Sequence, residues 1–123
     1  MLSFNEFTKT TTFLKENLDD FIGFACDHLQ IPEKPEIKLL QARESNMTTA
    51  NYCPTTRIIK IYAKGRAAFD VARSLAHELV HHKQNINGET LDGTTGSDCE
   101  NEANATAGRI IRMYGEKNPQ FYE

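Results

Sequence analysis

What the sequence lacks narrows its function first. It has no basic surplus: the net charge is −3, which argues against a general nucleic-acid binder, since such proteins show a cationic stripe or excess. No apolar run approaches the ~20 residues that span a membrane. The opening stretch MLSFNEFTKTTTFLKEN has none of the basic, apolar and small-residue segments of a secretory signal, so a cytoplasmic protein is expected. The three cysteines, Cys26, Cys53 and Cys99, form no C-x-x-C pair. An odd number at wide spacing excludes a disulfide framework and a cysteine-based zinc site, and leaves buried or half-buried free thiols as the expectation. Cys99 alone is kept in view, because it lies close to candidate metal-binding residues.

At 123 residues the chain is long enough for one modest core, and a single domain over residues 1–123 is expected. Ser3 and Glu6 read as a capping box that opens a first helix. Its stripe runs through Phe4, Phe7, Leu14, Leu18, Phe21 and Ala25, and Pro32 and Pro35 close it. Strands are expected over residues 36–43, 50–53 and 56–63. In the last of these, TRIIKIYA, alternation sets Ile59 and Ile61 on one face and Ile58, Lys60 and Tyr62 on the other. A strongly apolar helix follows from about residue 67 to 87, and a glycine-rich loop, NGETLDGTTGS, comes next. A last helix runs from Ser97 to Gly115, where the glycine is expected to cap it. The sum is an α+β fold: a small antiparallel or mixed sheet of about three strands packed on the apolar helix, between an N-terminal helix and a C-terminal helix that carries glutamates.

The apolar helix contains SLAHELVHHKQ. His77 and His81 are four residues apart, so their side chains leave the helix about 40° apart and can share one zinc ion. Glu78 stands where H-E-x-x-H chemistry places the general base towards a zinc-bound water. Burial of this helix drives two histidines and a carboxylate inward, where unpaired polar groups are costly. His82 points about 100° away from His81 and reads as a surface or supporting residue. His28 carries no motif.

A third ligand has to come from elsewhere. Gln84 and Asn87 occupy the positions of the glycine and histidine in the extended H-E-x-x-H-x-x-G-x-x-H pattern, and no histidine follows His82. The carboxylates available are Glu89, Asp92, Asp98, Glu100 and Glu102. The first two lie on the glycine-rich loop, close to the motif helix. SDCE reads as a capping box that turns Glu100 back to the helix start. Glu102, one turn inside the last helix beside Ala103, is therefore favoured over Glu100.

HELVH followed about twenty residues later by NEANA resembles the gluzincin arrangement of thermolysin-type metallopeptidases. The order of strand, H-E-x-x-H helix and glutamate helix is also similar to ImmA/IrrE-type peptidases and to single-domain minigluzincins. LAHELVHHKQ with E-x-E-A-N-A looks like short metallopeptidase-like proteins of tailed bacteriophages. The resemblance spans residues 36–114. It implies a zincin-like fold and one Zn2+ ion held by His77, His81 and Glu102, with Glu78 as base. It implies as function the zinc-dependent hydrolysis of peptide bonds in a peptide or protein substrate. It also implies a virion location if the chain is phage-encoded. The aspartate that larger relatives carry four residues after the ligand glutamate is replaced by Thr106, leaving Asn104 and Asn101 as other partners for a zinc histidine. In this reading TRIIKIYA is the upper edge strand that binds an extended peptide. Tyr52, Tyr62, His82, Arg109 and Tyr114 are candidate donors to the developing oxyanion. The alternative is a non-catalytic protein, such as a virion component, whose zinc staples a small fold.

Overall fold

The computed structural model describes residues 18–40, 42 and 49–119. The capping box at Ser3, the first half of the N-terminal stripe and the last four residues of the tail lie outside them. Helix α1 covers residues 18–29 of the described chain. It ends before Pro32: Gln30 takes φ 58°, and the Ile31 N–H turns back to the Cys26 carbonyl at 2.9 Å. Phe21, Ala25 and Cys26 are buried, so the part of the stripe that can be followed faces the core.

Three strands follow: β1 (Glu36–Leu40), β2 (Ala50–Cys53) and β3 (Ile58–Tyr62). The order is β1-β3-β2, with β1 parallel and β2 antiparallel to β3. The sheet is therefore mixed. It places β3 in the centre, so TRIIKIYA is not an edge strand. The edge beside the helices' polar groups belongs to β2. β2 and β3 are joined by a turn in which Arg57 takes φ 59° and donates its N–H to the Cys53 carbonyl at 2.7 Å. Ile59 and Ile61 are fully buried under the helices, as their alternation predicts.

Helix α2 (Ala68–Ile86) lies between the sheet and helix α3 (Asp98–Lys117). Val71, Leu75, Ala76 and Leu79 are wholly buried, and burying each of the two leucines contributes about 1.5–3 kcal/mol. Gly88, at φ 81°, reverses the chain after α2. Glu89 N–H closes that turn on the Gln84 carbonyl at 3.0 Å. Ala103 and Ala107 are fully buried where α3 meets α2, and their small side chains let the two helices approach closely. The helix does not end at Gly115, which is buried within it. It continues until Asn118 bonds the Tyr114 carbonyl through both its backbone N–H and its side chain. Pro119 follows, and a residue before proline is pushed out of helical conformation. At the far end of the core the Tyr114 ring meets Phe21 edge-on, with centroids 5.0 Å apart.

All three cysteines are free thiols, although Cys53 is exposed rather than half-buried. No described helix is long and apolar enough to cross a membrane.

Candidate metal centre

The spacing of H-E-x-x-H does what a helix requires of it. His77 and His81 project one turn apart from α2, and their Nε2 atoms lie 3.1 Å from each other. The carboxylate that meets them is Glu100. Its Oε2 is 3.0 Å from His77 Nε2, and its Oε1 is 3.2 Å from His81 Nε2. These three side chains are the group of histidine, cysteine and acidic residues that can hold a metal ion among the described residues. Four ligands placed tetrahedrally at ordinary zinc distances would be roughly 3.3 Å apart, so the observed separations are close to those of a filled site.

Glu102, the carboxylate favoured from the sequence, stands elsewhere. It is exposed on α3 and accepts from Gln84 Nε2 at 2.9 Å. Two features explain the exchange. The capping box is only half made: Ser97 Oγ accepts from the Glu100 N–H at 3.4 Å, but the Ser97 N–H already bonds the Thr94 carbonyl at 3.0 Å. Glu100 has nothing to turn back to, and its side chain is released towards α2. Position then decides. Glu100 precedes Ala103 and Ala107 by three and seven residues, on the stripe that packs against α2, whereas Glu102 is about 200° around the helix. That periodicity was present in the sequence and would have identified Glu100. Of the other carboxylates, Glu89 and Asp98 are exposed outside the group. Asp92 accepts from the Thr94 N–H at 2.9 Å.

Gln84 orients the site. Its amide Nε2 donates to the Cys99 carbonyl at 3.1 Å and to Glu102. The carbonyl end must then face His81 Nδ1, 2.8 Å away, and the proton on that edge belongs to the imidazole. In its neutral form His81 therefore presents an unprotonated Nε2 to the centre, the form in which histidine ligates a metal. His77 is held by a side-chain hydrogen bond with Asn104, one turn after Glu100 on α3. Burial, and then the neighbouring His81, keep the His77 imidazole below its ordinary pKa and so neutral. Asn104 thus takes the supporting place that Thr106 and Asn101 do not. Thr106 is buried and accepts from Arg109, while Asn101 donates to the Gly96 carbonyl.

Glu78 is buried, at 8% exposure, and its pKa is pushed up to about 7, chiefly by burial with a further push from Glu100. It lines both lobes of a cleft between β2 and α2. One lobe, of about 260 Å3, is bordered by Arg73, Ser74, His77 and Asn104. The other, of about 300 Å3, is bordered by Tyr52, His81, Asp92 and Glu100. Arg73 and Ser74 were not among the residues singled out from sequence. The signal was Arg73's position four residues before His77, on the same helix face.

His82 is not at the surface: it is 4% exposed and locked. Asn85 Nδ2 donates to the Tyr52 hydroxyl at 2.9 Å, so the hydroxyl proton goes to His82 Nδ1 at 2.8 Å. The remaining ring N–H reaches the Glu33 backbone. This network ties β2, α2 and the segment before β1 together and leaves His82 no free ring nitrogen. Cys99 is also occupied. Its thiol accepts from the Asp92 N–H and donates to the Asp92 carbonyl, at 3.2 and 3.1 Å, which pins the loop bordering the cleft.

The chain matches no protein-family model, and comparison with curated proteins and with solved structures finds none similar to it.

Proposed function

We propose that this protein is a zinc-dependent peptidase in which His77, His81 and Glu100 hold one zinc ion and Glu78 is the general base. One observation carries the metal. With His81 neutral, its Nε2 and Glu100 Oε1 are both acceptors, yet they face each other at 3.2 Å with His77 Nε2 beside them. A proton relieves one of these contacts at a time; one cation at the centre satisfies all three. Two imidazoles and a carboxylate at near-tetrahedral separations suit zinc better than magnesium or calcium, which prefer oxygen donors in larger number. When bound, zinc supplies Lewis acidity towards a scissile carbonyl and towards water.

The protein's own groups supply the rest. Glu78, titrating near neutrality in a desolvated position, takes a proton from the attacking water and returns it to the leaving amine. The edge of β2, which pairs with no other strand among the described residues, offers backbone N–H and C=O groups along the cleft to an extended peptide.

A second reading, a zinc-stapled structural or regulatory protein, is favoured by one feature. The candidate oxyanion donors are engaged elsewhere: Tyr52 and His82 with each other, Tyr114 with Asp20 and Arg109 with Thr106. Tyr62 lies on the sheet face opposite the buried Ile59 and Ile61. The two readings separate in one experiment. Zinc-loaded wild type is assayed against a mixed peptide library beside Glu78→Gln. The peptidase reading expects cleavage by wild type and a loss of roughly 10²–10⁴-fold in the variant, with equal zinc content in both. Full zinc occupancy with no cleavage by wild type would establish the staple instead.

A further inference from the structure

The cleft is electrically asymmetric. On the His77 side its wall carries Arg73, exposed on α2 one turn before the histidine, for which no salt bridge is present among the described residues. Ser74, on the same wall, accepts from Arg66 Nη2 at 2.8 Å, which brings a second guanidinium to that end. Apart from Glu78, which both lobes share, no acid lines this wall among the described residues. On the His81 side the wall carries Asp92 and, among the described residues, no cation. β2 runs between the two ends, from Thr49 and Ala50 in the Arg73 lobe to Tyr52 and Pro54 in the Asp92 lobe.

We infer that Arg73 is a specificity residue that takes a substrate carboxylate on the His77 side of the cleft, and so selects peptides with an anionic group C-terminal to the bond that is cut. The inference rests on the peptidase reading and adds a substrate class to it. Direction follows from the charges. A peptide with its carboxylate at Arg73 and its amino-terminal part towards Asp92 runs antiparallel to β2, which is also the more stable way to extend this edge. Guanidinium is suited to the role because its planar fork pairs with both oxygens of a carboxylate. The carboxylate can come from the chain end or from an aspartate or glutamate side chain.

Binding tests this without requiring turnover. Zinc-loaded Glu78→Gln protein is titrated, by fluorescence anisotropy, with three labelled alanine peptides: one with a free C-terminus, one amidated, and one amidated with a glutamate near its end. At least one anionic peptide is expected to bind about tenfold or more tighter than the neutral amide, consistent with a charge-assisted hydrogen bond. Which of the two gains identifies the source of the carboxylate. Adding Arg73→Glu should remove the preference while leaving zinc content unchanged, and Arg73→Lys should restore part of it. Equal binding of all three peptides, or a preference that survives Arg73→Glu, overturns the inference and leaves the peptidase reading standing. If no peptide binds at all, both fall together.

Discussion

Two glutamates two positions apart carry separate duties, and the difference is testable. Glu100 touches both histidines, while Glu102 reaches His81 only through the Gln84 amide. Glu100→Ala should abolish stoichiometric zinc binding, measured by metal analysis after dialysis. Glu102→Ala should keep the zinc and weaken its affinity modestly, because Gln84 still has the Cys99 carbonyl to fix its orientation. The reverse ranking would return the ligand role to Glu102. Gln84→Met keeps side-chain length but removes the acceptor from His81 Nδ1. Loss of such a supporting partner typically weakens metal affinity by about 10–100-fold, and a chelator competition titration reads that change. Unchanged affinity would mean that His81 needs no partner to present its Nε2.

The helices show why some of this could be read from sequence and some could not. Burial of α2 followed from its apolar spacing, and Ile59 and Ile61 from alternation, because side-chain period is a local property. That β3 is central and β2 the edge was not legible, since strand order depends on which elements pair over long sequence separations. Which carboxylate meets the two histidines was missed for a different reason. SDCE satisfies the capping-box pattern, but the pattern cannot say that Thr94 has already taken the Ser97 N–H. Ser97 still caps α3 through its hydroxyl, and the same hydroxyl donates to the Asp92 carbonyl at 2.8 Å. Ser97→Ala should therefore cost about 1 kcal/mol, as lost N-caps commonly do. Because the loop loses a tether too, proteolysis within residues 88–97 should speed up. Denaturant midpoints and timed digestion check the two effects; a midpoint shift with no change in digestion would confine Ser97 to capping.

In the whole metal-free molecule the buried titratable groups oppose one another, and their balance gives a pH signature. His77 and His82 are both held below the ordinary histidine pKa of 6.5, in each case mainly by burial. The unfolded chain then binds their protons first, so their contribution to stability is present above that value and is lost as pH falls below it. Glu78 acts in the other direction. Its pKa rises from 4.5 to about 7 on folding, so its contribution is complete below 4.5 and is lost as pH rises through 7. The swing from this one carboxyl is on the order of 3 kcal/mol. Across pH 5–7 the terms partly cancel, and the stability of chelator-treated wild type should change little. Glu78→Gln removes the opposing term alone, so its stability should rise with pH over the same interval. Urea midpoints at several pH values compare the two proteins directly, and parallel profiles would show that Glu78 is not desolvated in the folded state. Zinc should raise the midpoints of both proteins near neutrality and lose that effect as protons compete for His77 and His81. The ion would then hold α2 to α3 through residues that, without it, leave acceptor facing acceptor between the two helices.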